Sequence, residues 1–251
     1  MASRLFLLLC LLCSVRGAAQ SVAPLLKTEW HQNEPYNKMC PTIDGERTMV
    51  GCVATSATEI MNIYQWQTKT LDTLHGWEPD KYVVADILPG AKLRWGQILQ
   101  DYRGQYTETQ ADAIAELSLY AAMACHMHFG VSSSGADTYS YLETLKPVFG
   151  YQYVHMYDRV YYSPATWRSI LIYELQQGHP LLYTGYNQEV SGHAFVIDGY
   201  DSATGQFHAE WGYGGAYNGW FDIDVLNPFE RPDDPTEWGR REGFFCNQTA
   251  L

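Results

Sequence analysis

Two residues in this chain could together break a peptide bond. Cys52, within Gly51-Cys52-Val53-Ala54-Thr55, precedes a stretch in which Val53, Ala57, Ile60, Met61 and Tyr64 recur at three- and four-residue spacing. That period predicts an amphipathic helix with the cysteine at its start. A thiolate, not a thiol, attacks a carbonyl carbon, and unpaired N–H groups at a helix N-terminus favour the anion. Gly51 lets the chain turn tightly into the helix, which leaves the Cys52 N–H able to hold an oxyanion. His193 opens the run Gly192-His193-Ala194-Phe195-Val196-Ile197-Asp198-Gly199-Tyr200. This run reads as a strand with His193, Phe195 and Ile197 on one face. An imidazole can take the thiol proton and return it to a leaving amine. Gly192 leaves room beside the ring for substrate, and the loop Trp211-Gly212-Tyr213-Gly214-Gly215 could shield it from water and fix its tilt. Taken alone, each residue has a plainer explanation, since cysteine is among the most buried residue types and a lone histidine is more often a satisfied core residue.

The elements that must bring these two residues together divide the chain. An irregular arm, Glu29-Trp30-His31-Gln32-Asn33-Glu34-Pro35-Tyr36-Asn37, leads to the Cys52 helix. Helices are expected at about 108–126, 140–149 and 163–177, the last closed by Gly178 and Pro180. Strands are expected at 181–186, 193–200, 206–211 and 219–225, with glycines at the turns. Helices first and strands later predict an α+β fold of two lobes that meet.

The chain has 251 residues, 46% of them hydrophobic and only 18% charged, enough to bury a sizeable core. Its net charge of −12, with no basic run, argues against nucleic-acid and anionic-membrane partners. Residues 1–19 read as a signal peptide: Arg4, an apolar run from Leu5 to Cys13, then small residues, with cleavage expected after Ala19. The apolar run falls short of the ~20 residues of a transmembrane helix. A secreted or periplasmic protein is therefore expected. A lipoprotein acylated at Cys10 or Cys13 fits less well, because a leucine sits just before each. Residues 20–251 would be the catalytic domain, with Cys40, Cys52, Cys125 and Cys246 remaining. If Cys52 is a working thiol, at most one disulfide can form among the other three, and the pairing is open. No two of these cysteines have metal-ligand spacing, and the i,i+2 spacing of His126 and His128 puts them on different helix faces. No metal is expected.

Gly-Cys-Val-Ala-Thr opening a helix, Gly-His-Ala-Phe-Val-Ile-Asp-Gly later, and then Trp-Gly-Tyr-Gly-Gly resemble the C10, or streptopain, family of papain-like cysteine peptidases. The arm with Trp30, Pro35-Tyr36-Asn37 and Cys40-Pro41 resembles the form found in Bacteroidetes. The resemblance implies a papain-like two-lobe fold, a helical lobe packed against an antiparallel sheet with the site in the cleft. It implies a secreted endopeptidase in which Cys52 is the nucleophile, His193 the general base and acid, and Trp211 packs beside the histidine. It implies a thioacyl-enzyme, protein or peptide substrates, no cofactor and a monomer. Ser134, Gly135 and Gln188 to Ser191 are guesses for the cleft lining.

Three departures qualify the resemblance. Papain-like enzymes place a glutamine six residues before the cysteine as an oxyanion donor, and that position holds Glu46. The residue before the Trp-Gly turn is asparagine in streptopain and Glu210 in this chain, where it could orient His193 as a carboxylate. No long pro-domain is evident between Ala19 and Trp30, so latency would come from a separate inhibitor protein or from secretion. The alternatives are an inactive papain-like binding protein, or a Cys-His amidase acting on cell-wall peptides. The amidase would need an acid such as Asp198, which alternation puts on the opposite face from His193.

Overall fold

The structure, a computed structural model, describes residues 20–186, 192–227 and 246–250. A short hairpin, β1 (Thr42–Ile43) and β2 (Glu46–Arg47), leads into helix α1 (Cys52–Tyr64). Helix α2 (Glu108–Ala124) starts at a capping box, in which the Thr107 hydroxyl accepts from the Gln110 N–H and the Gln110 side chain accepts from Thr107. Asp137 caps α3 (Thr138–Phe149), which stops at Gly150 in the left-handed conformation. Ser163 caps α4 (Pro164–Gln176), whose first residue is the proline tolerated there.

The second half of the chain supplies one six-stranded antiparallel sheet. Its strands are β3 (Tyr157–Asp158), β4 (Leu181–Tyr186), β5 (Gly192–Asp201), β6 (Gln206–Glu210), β7 (Gly219–Phe221) and β8 (Cys246–Ala250), in the order β3-β8-β4-β5-β6-β7. Gly185 pairs with His193 and Tyr183 with Phe195. The N-terminal arm joins the structure through a Val22–Tyr200 bridge.

Two apolar cores result. One gathers Trp30, Val53, Ala57 and Met61 with Ile114, Leu117, Ala121 and Phe149 around the helices. The other gathers Trp167, Leu171 and Leu175 against Tyr183, Phe195, Ile197, Phe207 and Trp211 of the sheet lobe. Helix α1 also packs across β4 and β5, joining the halves. Burying Val53 and Met61 on that helix contributes roughly 1.5–3 kcal/mol each. The first core thus fixes where the helix begins, and with it the sulfur. No helix among the described residues is long and apolar enough to cross a membrane.

Candidate active site

Cys52 is the first residue of α1 and is half-buried. Gly51 before it has φ 94° and ψ 143°, a region essentially closed to side chains. A Cβ on Gly51 would lie 2.6 Å from both Met127 Sδ and Cε, and 3.2 Å from the Ser134 carbonyl oxygen. The glycine thus serves backbone geometry and close packing together. The bend aims the sulfur at the first amides of the helix and at β5, where the Val53 and Ala194 N–H groups and the His193 ring lie close enough to favour its thiolate.

His193 follows the first residue of β5 and is buried. Its Nε2 lies 2.9 Å from the Trp211 carbonyl oxygen. A carbonyl only accepts, so Nε2 carries a proton and Nδ1 is the ring atom left for the sulfur. The ring sits in an aromatic stack. Tyr213 is parallel to it at 5.0 Å between centroids, and Phe195 and Trp211 lie at 5.9 and 6.2 Å. Trp211 is fully buried and touches Phe195 at 4.4 Å.

The electrostatics of the pair follow from these contacts. Burial opposes charge on Cys52, but the hydrogen bond and charge of His193 and the two amides outweigh it, so its pKa falls below the ordinary thiol value. Burial likewise opposes charge on His193, yet the sulfur and the Trp211 carbonyl outweigh it, and its pKa rises. Opposite shifts in neighbouring groups favour the thiolate–imidazolium form of the pair. Burial pushes the Tyr213 hydroxyl up to about 12, with the Cys52 charge adding to it, so the stacked ring stays neutral.

The other residues singled out by sequence fall in varied places. Glu210 is buried and does not contact the His193 ring through its own carboxylate. Its Oε2 accepts the Gly212 N–H at 2.9 Å and its Oε1 accepts Asn218 Nδ2–H at 3.1 Å. The ring's orienting partner is instead a backbone carbonyl, one residue further on. Glu46 is exposed on β2 and pairs in register with Ile43, while Arg47 donates to the Cys40 carbonyl. Gly192 leaves space that Tyr186 fills: a Cβ there would meet the Tyr186 ring at 2.8 Å. The Ser134 hydroxyl donates to the Met49 carbonyl at 2.8 Å and accepts from the Gly130 N–H, holding the 130–134 loop against the approach to Cys52. Gly135 is exposed and bridges to His128. Gln188 to Ser191 lie outside the described residues.

Asp198 is engaged elsewhere, accepting from the Leu26 N–H at 2.9 Å and contacting His208 Nδ1 at 2.7 Å. Cys40 and Cys125 are free thiols, so no disulfide joins them; Cys246 belongs to β8, and its side chain lies outside the described residues. His126 stacks on Trp77 at 4.4 Å.

Sequence reasoning missed Tyr213, Asn218 and Gln32. Tyr213 was visible only as part of a glycine-rich loop. Asn218 accepts the Trp211 N–H at 3.1 Å and donates to Glu210, which fastens the loop at its base. Buried Gln32 accepts the Val50 N–H on its backbone carbonyl at 3.0 Å, which pairs its main chain with the residues leading to Cys52. No local pattern announces that pairing.

A cysteine at a helix start, an imidazole from the facing sheet and a carbonyl holding the ring's far nitrogen define a papain-like arrangement. Residues 30–221 match the Peptidase C10 family, and the chain belongs to it. It is 33% identical to a streptopain of Streptococcus pyogenes over 84% of this chain and 59% of the relative. It is 27% identical to the thiol protease/hemagglutinin PrtT of Porphyromonas gingivalis over 85% of this chain and 26% of that protein. The chain thus spans under two thirds of the length of these relatives. The fold matches active interpain A, a cysteine protease of Prevotella intermedia, with a TM-score of 0.82 and 31% identity over 92% of this chain and 93% of that one.

Proposed function

We propose that this chain is a secreted cysteine endopeptidase acting on protein or peptide substrates, with Cys52 as nucleophile and His193 as general base and acid. The observation that carries the reading is the contact between the Cys52 sulfur and a His193 ring whose Nε2 is tied to the Trp211 carbonyl. In this reading the thiolate attacks the scissile carbonyl carbon, and the C=O π electrons move onto oxygen. The tetrahedral adduct collapses as His193 gives its proton to the departing amine, leaving a thioester on Cys52. Water, losing a proton to His193, adds to the thioester and expels the thiolate. The chemistry calls on no metal or organic cofactor.

The Cys52 N–H is one donor for the oxyanion. Gln32 is our candidate for the second, because Glu46 is exposed and an ionised carboxylate would oppose the charge that develops. Trp211, Tyr213 and Phe195 keep water from the ring's faces, which preserves the strength of the ion pair. Residues 1–19 are proposed to direct export and be removed, leaving a monomer that a separate inhibitor protein could restrain. The decisive experiment labels Cys52 with iodoacetamide and follows casein cleavage. Rapid labelling at Cys52 with matching loss of cleavage is expected. Cleavage that persists after complete labelling would end the reading.

A further inference from the structure

Beneath the reacting pair lie two acidic side chains that the peptidase chemistry leaves unused. Glu59 sits seven residues after Cys52 on α1, close to two full turns and therefore on the same face. It is fully buried. The Thr28 hydroxyl donates to its Oε1 at 3.3 Å, and the Trp30 amide faces the same carboxyl. Its Oε2 is enclosed and meets no hydrogen-bond donor among the described residues. The neighbouring acid is Glu210 of the sheet lobe, also buried and close enough for its carboxyl to act on Glu59.

Two ionised carboxylates cannot share a buried contact, because burial and mutual repulsion both oppose the second charge. One proton resolves every anomaly at once. Carried by Glu59, it turns the orphaned Oε2 into a donor and makes Glu210 the acceptor. The asymmetry has a visible cause. Glu210 receives N–H donors from Gly212 and Asn218 at 2.9 and 3.1 Å, which suit a carboxylate, whereas the hydroxyl bond to Glu59 Oε1 is longer, at 3.3 Å, with the Trp30 amide beside it.

The Glu210 bond to Gly212 ends on a particular peptide unit. The Trp211–Gly212 peptide offers its C=O to His193 Nε2 at 2.9 Å and its N–H to Glu210 Oε2 at 2.9 Å. A negative carboxylate on the N–H side of a peptide polarises it, which makes the C=O a better acceptor for a charged imidazolium. Glu210 therefore acts on His193 through an intervening peptide. Gly212 has φ +72°, so a non-glycine residue would strain the unit at this point.

We propose that Glu59 and Glu210 form a carboxylic acid–carboxylate clasp between α1 and the Trp211–Gly212 turn, which positions His193 against Cys52 and supports its positive charge through the Trp211 carbonyl. Both are positioning residues, and the statement about His193 rests on the peptidase reading above. The titratable groups facing the clasp are Tyr36 from the N-terminal arm and Asp198 and His193 from β5. Burial first, and then the Glu59 charge, hold Tyr36 well above the ordinary phenol range, so it stays neutral. Burial, followed by the charge and hydrogen bond of Glu210, raises Glu59 well above the usual carboxylate range, and Glu210 is raised as well. A folded-state pKa raised above its unfolded value gives stability that is complete below the unfolded pKa, ~4.3 for Glu. That stability is lost as pH rises through the folded pKa, so the clasp fails on the alkaline side.

The test has two arms. The first measures urea unfolding from pH 5 to 9 in a Cys52→Ala background, which removes the ion pair of the site and does not depend on activity. The clasp predicts that Glu59→Gln, which donates the same hydrogen bond without a proton to lose, flattens the alkaline fall in stability. Identical pH dependence in the two proteins would overturn it. The second arm uses otherwise wild-type protein. Glu59→Leu should lower kcat about tenfold or more with KM little changed, as expected for misplacement of a reacting group. Glu59→Gln should recover most of that loss. Glu210→Gln should move the alkaline limb of kcat/KM for peptide hydrolysis, set by loss of the His193 proton, down by about one pH unit, since the imidazolium loses its remote charge. An unmoved limb would overturn the link to His193. A protein with the predicted unfolding behaviour but no peptidase activity would leave the clasp standing and sink the peptidase reading instead.

Discussion

Replacing Gly51 with alanine tests the placement of the sulfur most directly. The backbone at Gly51 has φ 94° and ψ 143°, and holding a non-glycine residue in such a region costs about 1–3 kcal/mol. The added Cβ would also lie 2.6 Å from the Met127 thioether and 3.2 Å from the Ser134 carbonyl oxygen. Met127 is fully buried, so its tail can move only by displacing neighbours, and overpacking of that kind adds about 1–3 kcal/mol. The total destabilisation is about 2–6 kcal/mol by these two contributions. Relief of the strain by rotation of the helix start would shift the sulfur relative to His193, and displacements near 1 Å cost about a hundredfold in rate.

Urea titration gives the stability change, and kcat/KM on a fluorogenic peptide gives the rate. The double variant Gly51→Ala with Met127→Ala separates the causes. It should recover the steric part in both readouts and leave the dihedral part. A Gly51→Ala protein with unchanged urea midpoint and unchanged kcat/KM would refute the whole line of reasoning. Full recovery in the double variant would remove the backbone contribution from it.

Cys52→Ala should abolish peptide hydrolysis while leaving the circular dichroism spectrum unchanged, since Cys52 is only half-buried at the edge of the helical core and alanine keeps its Cβ. The pH profile of kcat/KM should be bell-shaped. Its acid limb follows protonation of the Cys52 thiolate, displaced below the ordinary thiol value, and its alkaline limb follows loss of the His193 proton, displaced above the ordinary imidazole value; a single sigmoid would contradict the ion pair. Gln32→Ala should lower kcat by about 10²–10³-fold if its amide holds the oxyanion, and an unchanged kcat would remove it from the site. Glu46→Gln should leave kcat within about twofold, because the exposed carboxylate is screened by solvent; a clear rise in rate would show that its charge reaches the oxyanion.

Much of the architecture was written in local patterns. The start of α1 at Cys52, the span of α4 and the β4–β6 strands all follow from periodicity and from glycine and proline punctuation, and they appear within a residue or two of expectation. The strand expected at 219–225 stops at Phe221, because Asp222–Val225 form a turn. The one expected through Trp211 stops at Glu210, which frees the Trp211 carbonyl to turn to His193. The β1–β2 hairpin and β8 were not foreseen, as two-residue strands carry no period and β8 follows a long interruption. The failures at the site share one cause. Counting along the chain put Glu46 where papain-like enzymes carry glutamine, but only the fold shows that it is exposed on β2. Glu210 was considered as a direct partner of the ring, but the fold inserts a peptide between them. Glu59 looked like an ordinary helix residue. Its oddity appears only once burial is known.

The placement of β8 governs when the half of the cleft that carries His193 can be completed. Residues 246–250 lie between β3 and β4, and β4 is in turn the neighbour of the strand that carries His193. A nascent chain lacking that segment leaves β4 as an open edge and β3 without its partner, so the half-cleft bearing the imidazole is finished only after those residues have been synthesised. That half of the cleft is thus completed only when β8 joins the sheet, an order of events that comes from strand order alone.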